Sequence, residues 1–93
     1  MEIDFIEKSR EYIQDGQLEK AQVLLRRMLM EDPHSARALE LSGDLSQRMG
    51  KRSEAIGYYE QASAGYADAG RLLDAIICLE KVVRAEKPNS DRY

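Results

Sequence analysis

Several residue types that support small folds or carry chemistry are scarce in this sequence. Cys78 is the single cysteine, so no disulfide can form within the chain and packing alone must hold the fold. His34 is the single histidine, and it has no second His or Cys at a metal-ligand spacing. Proline occurs only twice, and no sustained alternation of apolar and polar residues predicts a strand. These absences disfavour a disulfide-rich protein, a metal protein and a β-sheet protein.

Charge and hydropathy exclude further classes. The chain has 14 Lys and Arg against 17 Asp and Glu and no basic stripe, so nucleic acid is not an expected partner. No apolar run approaches the roughly 18 residues that span a membrane, and the first residues are acidic where a secretory signal is basic. We therefore expect a cytoplasmic protein without a membrane partner. Because no phosphate loop or catalytic constellation is present either, we expect no enzyme, no cofactor and no metal.

A glycine followed five residues later by an alanine recurs three times, and each alanine opens an amphipathic segment. The pairs are Gly16 and Ala21, Gly50 and Ala55, and Gly70 and Ala75. The first two copies lie 34 residues apart, and the third follows after 20. A period of 34 is typical of a helix–turn–helix repeat.

Helical periodicity predicts five segments, at about residues 2–14, 18–30, 36–49, 53–69 and 72–86. Ser35 and Ser53 are the predicted N-caps of the third and fourth helices. Gly43 lies inside the third helix, where glycine costs roughly 1 kcal/mol of helix propensity, and this indicates a close approach of two helices. Cys78 is predicted to be a buried core thiol. The predicted fold class is all-α.

The tyrosines of the fourth helix are predicted to be core residues more than contact residues. Tyr59 and Tyr66 are seven residues apart and share one helical face. Tyr58 is expected to be partly exposed.

The small and aromatic residues of this pattern resemble the tetratricopeptide repeat family. Its consensus is matched in a first repeat by Phe5, Ser9, Tyr12, Ala21, Leu25, Met28 and Pro33, and in a second by Leu39, Ser42, Gly43, Ala55, Tyr59 and Ala62. Lys8 departs from the consensus. The resemblance implies antiparallel helix–turn–helix hairpins, stacked as a short right-handed solenoid.

The step of 20 residues between the last two glycine–alanine pairs departs from the family period. We expect one domain over residues 1–88, with repeats at 2–35 and 36–69 and a partial third unit at 56–87 that shares the fourth helix. Residues 89–93 are expected to form a frayed tail. The alternative is a short five-helix bundle.

The resemblance also implies a function, because the first helix of each pair in this family lines a concave surface that binds a peptide or a helix. The corresponding residues here are Ile3, Ile6, Arg10, Ile13 and Gln14 in the first repeat, and Arg37, Glu40, Asp44, Gln47 and Arg48 in the second. The first set is largely apolar and the second is charged, which suits an amphipathic segment. Alternatively, the isoleucines only pack against the second helix. The family's carboxylate-clamping subclass is not expected, because Arg10 and Asp44 replace its asparagine.

The fifth helix has more apolar positions than one buried stripe uses. Leu73, Ile77 and Val83 form a possible docking face, and self-association as a homodimer is the simplest use of it. The sequence thus predicts a non-enzymatic protein-interaction module. The alternative is a regulatory or assembly segment of a larger signalling protein, and a small enzyme or metal protein is the least favoured interpretation.

Overall fold

Five α-helices make up the chain in a computed structural model, which describes residues 2–86 and the side chains of residues 5–86. They are α1 (Glu2–Gln14), α2 (Leu18–Glu31), α3 (Ala36–Arg48), α4 (Arg52–Asp68) and α5 (Leu72–Glu86). Turns of three or four residues join them, and no strand occurs between residues 2 and 86. The all-α fold and its five helices are therefore confirmed.

Each helix packs against its neighbours along the chain, and α1 also contacts α3. Because the connections are so short, consecutive helices run antiparallel. The Cα atoms extend over 44 × 32 × 17 Å, so the molecule is a slab about two helices thick. Its helices α1, α3 and α5 share one face, where they border a common cavity.

The three glycine–alanine pairs form three copies of one turn. The glycines have φ of +82°, +78° and +79°. This is the left-handed conformation, which glycine adopts at a lower cost than any residue with a Cβ. In the second copy, the Gly50 amide donates to the Gln47 carbonyl at 3.0 Å and the Lys51 amide to the Ser46 carbonyl at 2.8 Å. The turns at Gly16 and Gly70 have the same two bonds. This arrangement is the Schellman motif, which closes one helix and leads at once into the next.

The helix starts agree with the predicted caps in one case and differ in the other. Ser35 caps α3, because its hydroxyl accepts a hydrogen bond from the Ala38 amide at 3.3 Å. The predicted cap at Ser53 is wrong. The N-cap of α4 is Lys51, which makes no side-chain capping bond, and its carbonyl accepts from the Ala55 amide. The turn at Gly50 brings the chain into helical geometry before Ser53 is reached.

The core runs through the slab as three adjoining clusters. The first joins α1, α2 and α3 through Ile6, Ile13, Ala21, Leu25, Met28, Ala38, Leu41 and Leu45. The second joins α3, α4 and α5 through Leu39, Ala62, Tyr66, Ala75 and Cys78, and the third consists of Ala55, Tyr59 and Val82. The burial of Tyr59, Tyr66 and Cys78 is confirmed. Burial raises the pKa of the Cys78 thiol to about 11, so the thiol stays protonated.

Helix α4 packs on two partners. Tyr59 and Tyr66 reach across to α3, while the Ser63 hydroxyl donates to the Ala75 carbonyl of α5 at 3.2 Å. Helices α3 and α4 approach closely at Gly43 of α3, where a Cβ would lie 2.5 Å from Cε1 of Tyr59. The predicted role of this glycine is confirmed. The division into repeats at 2–35, 36–69 and 56–87 stays a prediction, and the predicted tail lies outside the described residues.

Candidate functional site

A cavity of about 400 Å³ opens on the face shared by α1, α3 and α5, and we call it the groove. Side chains from four helices line it: Arg10, Ile13 and Gln14 from α1, Leu41, Asp44, Gln47 and Arg48 from α3, Tyr59 from α4, and Lys81 and Arg84 from α5. Its position follows from the topology, because every second helix of an antiparallel stack lies on the same side. Residues separated by more than 70 positions in the chain thus face one space.

The structure brings most of the sequence-predicted residues together in the groove, namely Arg10, Ile13, Gln14, Asp44, Gln47 and Arg48. Of the others, Arg37 is exposed outside the groove lining, and Glu40 lies half-buried beside it. The side chain of Ile3 lies outside the described residues.

Ile6 and Ile13 of α1 contribute little apolar surface to the groove. Ile6 and Ile13 are 9% and 6% exposed, and both belong to the first core cluster with side chains of α2 and α3. Only Ile13 reaches the groove lining. The groove is therefore lined mainly by charged and amide side chains.

A hydrogen-bonded network ties α5 to α3 along one wall of the groove. Lys81 Nζ of α5 donates to Glu40 Oε2 at 2.8 Å and to Asp44 Oδ1 at 3.2 Å. The two carboxylates also accept from α4: Tyr59 Oη donates to Asp44 Oδ1 at 2.6 Å, and Tyr66 Oη donates to Glu40 Oε1 at 2.8 Å. The five side chains supply hydrogen-bond partners to one another, so Glu40 and Asp44 are already hydrogen-bonded within the protein in the absence of a ligand.

The electrostatics of this network favour one set of protonation states. Burial, and then the hydrogen bond to Asp44, raise the pKa of Tyr59 far above its usual value; burial and the bond to Glu40 do the same to the pKa of Tyr66. Burial by itself lowers the pKa of Lys81, but the contacts with Glu40 and Asp44 outweigh it and the net shift is upward. Neutral phenols and a charged ammonium are thus the stable forms at neutral pH.

The remaining charge of the groove is positive. Arg10 pairs with the exposed Glu7 at 3.2 Å, whereas Arg48 and Arg84 form no ion pair with any residue of the described part of the chain. The lining as a whole has four cationic side chains and one carboxylate, Asp44. A cationic groove on a chain of net charge −3 is a local feature, and overall composition does not reveal it.

The groove residues that the sequence analysis does not predict are Leu41, Tyr59, Lys81 and Arg84. A signal for Lys81 was present, because Ile13, Gln47 and Lys81 are spaced 34 apart and all three line the groove. The predicted third unit at 56–87 begins only 20 residues after the start of the second repeat, so it does not continue the period of 34 into α5. Tyr59 is predicted to be a core residue, which is confirmed, and it also lines the groove.

A second cavity, of about 300 Å³, lies between α2 and α4 across α3. It is lined partly by Arg26, Met49 and Glu54 and by Tyr58, which is half-buried as expected. Among residues 2–86, no group of three His, Cys, Asp or Glu side chains is placed to hold a metal ion. None of the described helices is both long and apolar enough to cross a membrane.

The fold and the groove define an α-helical repeat protein. A family model described as tetratricopeptide repeat matches residues 12–76, well over half of the chain, and the chain belongs to that family. The match begins in the last turn of α1 and ends in the first turns of α5, so it includes the Gly16, Gly50 and Gly70 turns. Proteins of this family typically serve as protein-interaction modules. Neither a curated protein nor a solved structure matches the chain.

Proposed function

We propose that the protein is a non-enzymatic interaction module that binds a segment of another protein in the groove. The observation that carries this proposal is the cavity of about 400 Å³ on the face shared by α1, α3 and α5. Such an opening can take the side chains of an extended peptide or of one face of a helix. Gln14 and Gln47 add amide donors and acceptors that can bind a peptide backbone.

The charge of the groove favours an acidic segment. Arg10, Arg48 and Arg84 come from three different helices, so guanidinium groups border the groove on α1, α3 and α5. Guanidinium groups bind carboxylates in a bidentate geometry and stay charged throughout the physiological range. The half-buried carboxylates Glu40 and Asp44 are already paired with Lys81, and they therefore repel an acidic ligand less than free carboxylates would. We infer a partner segment that carries Asp or Glu side chains.

Fluorescence anisotropy with two labelled peptides of equal length, one Glu-rich and one Lys-rich, tests this proposal. We expect the Glu-rich peptide to bind and the Lys-rich peptide not to bind, with an affinity that falls as salt increases. Reversing one groove charge, in Arg48→Glu or Arg84→Glu, should weaken binding about tenfold, which corresponds to about 1.4 kcal/mol.

The matched control is Arg27→Glu, which makes the same charge change at an exposed position of α2 outside both cavities. It should leave binding nearly unchanged. Equal binding of the two peptides, or equal losses in Arg27→Glu and Arg48→Glu, would contradict the proposal.

Self-association is a second candidate function, and a specific observation favours it. The predicted docking residues Leu73, Ile77 and Val83 are 78%, 45% and 56% exposed on α5. The same face would also suit a regulatory or assembly segment of a larger signalling protein. Light-scattering mass after size exclusion, over a tenfold range of concentration, distinguishes the cases. Twice the chain mass of 10.6 kDa supports self-association, and a constant mass of 10.6 kDa excludes it.

A further inference from the structure

Helix α5 exposes the largest concentration of apolar side chains on the described surface. They are Leu72, Leu73, Ile76, Ile77, Leu79 and Val83, with exposed fractions of 63%, 78%, 50%, 45%, 50% and 56%. Together they present roughly 600 Å² of apolar surface, at the upper end of what a monomer usually exposes in one patch. The patch therefore marks an interaction surface.

Four of these residues form a straight stripe along the helix. Leu72, Ile76, Leu79 and Val83 follow one another at intervals of four, three and four, which places them within about 60° of arc at roughly 100° per residue. The residues that α5 buries against α4, such as Cys78 and Val82, lie about a third of a turn away. We call Leu72, Ile76, Leu79 and Val83 the stripe.

The stripe and the groove lie on different sides of α5. Lys81, which borders the groove, points almost opposite to the stripe on the helical wheel. A partner that covers the stripe therefore leaves the groove open.

We propose that the stripe is covered by the stripe of a second copy of this chain, with the two α5 helices antiparallel. This inference rests on self-association as a function and specifies its surface and geometry. The two-fold axis passes between Ile77 and Cys78, so that Leu72 faces the partner's Val83 and Ile76 faces the partner's Leu79. The stripe is symmetric about that point, as an isologous interface requires.

Area and dipoles support the same occupant. The four stripe side chains of each copy would together bury roughly 800 Å² of apolar surface, and the side chains that flank the stripe would raise the total toward the roughly 1,200 Å² at which specific, stable interfaces begin. Antiparallel α5 helices also place the positive end of each helix dipole beside the negative end of the other. The stripe contains no charged residue, so it cannot form an ion pair with a charged partner.

Charge insertion into the stripe is the first test. Leu79 is half-exposed in the monomer, so the fold should tolerate the substitution Leu79→Glu. The charge would be buried in the dimer, so the dissociation constant of the dimer should rise at least a hundredfold. Val23→Glu is the matched control, because Val23 is 66% exposed on α2. It should keep the dimer. Circular dichroism of both variants verifies that the helices remain, and Ile76→Glu serves as a second stripe variant if Leu79→Glu loses helix.

Disulfide trapping tests the orientation. Cys78 is buried and can be retained or replaced by alanine. A Leu72→Cys protein and a Val83→Cys protein should form a disulfide with each other when they are mixed and oxidised. Neither protein should cross-link by itself. Cross-linking of Leu72→Cys alone would overturn the antiparallel arrangement. A dimer that resists Leu79→Glu would overturn the stripe as the interface while leaving self-association intact, and a chain that is always monomeric would overturn both.

Discussion

Gly43 lies within α3 and Gly57 lies within α4, and their surroundings give the two glycines opposite roles. A Cβ at Gly43 would collide with the Tyr59 ring, whereas a Cβ at Gly57 would meet nothing within 4 Å. Neither glycine has a positive φ. The glycine in α3 thus permits the packing of α4, and the glycine in α4 only weakens its own helix.

We predict that Gly57→Ala stabilises the protein and that Gly43→Ala destabilises it. The gain of helix propensity is the same in both and amounts to about 1 kcal/mol, or roughly 4–8 °C in a domain of this size. In Gly43→Ala the Tyr59 ring must shift, and overpacking of this kind costs about 1–3 kcal/mol. Thermal unfolding by circular dichroism measures both variants. A melting temperature for Gly43→Ala as high as that of Gly57→Ala would contradict the close approach.

At the scale of the helices, α5 depends on two kinds of contact. Its apolar residues pack on α4, while Lys81 holds it to the carboxylates of α3. Glu40, Asp44 and Lys81 are all less than a third exposed, so this ion pair is not a surface salt bridge of negligible value. The groove exists as one space because α5 is held beside α3.

Lys81→Met is predicted to destabilise the protein by about 1–3 kcal/mol, because Glu40 and Asp44 then lose their common cation and face each other. Urea denaturation provides the measurement. Arg71→Met is the control, since it removes the exposed pair with Asp74 in the first turn of the same helix and should change stability little. Equal effects of the two substitutions would contradict a structural role for the Lys81 network.

At the scale of the whole molecule, the protonation of buried groups links stability to alkaline pH. Cys78, Tyr59 and Tyr66 all have a pKa raised in the folded state, mainly by burial, and Lys81 has a pKa raised by its carboxylate partners. When the chain unfolds, each group returns to its ordinary pKa and releases its proton at lower pH. All four shifts therefore act in the same direction.

We predict that the free energy of unfolding is insensitive to these groups below about pH 9 and falls steeply above it. Cys78 contributes first, between the ordinary thiol pKa near 9 and its folded value of about 11, and the tyrosines add to the slope above about pH 10. Each group contributes about 1.4 kcal/mol per pH unit within its window. Urea denaturation at a series of pH values from 7 to 11 gives the slope. A flat profile between pH 9 and 11 would be incompatible with buried, protonated phenols and thiol.

The sequence by itself determined the features that depend on near neighbours. The five helices, the glycine turns, the Ser35 cap and the burial of Cys78 all follow from helical period and turn chemistry within a few residues. Even the wrong prediction at Ser53 has a local cause, since the turn at Gly50 starts α4 two residues earlier than a cap at Ser53 would. The period of 34 also contained the position of Lys81 in the groove.

Only the tertiary structure decided the composition of the groove. Lys81 meets Glu40 across 41 positions of the chain and Tyr66 meets the same carboxylate across 26. Whether Ile6 faces a ligand or the core, and which carboxylates are already paired, depend on how the helices cross and on where α5 comes to rest. Those are properties of the assembled slab, because a side chain's partners across a helix interface are set by packing and not by its own segment.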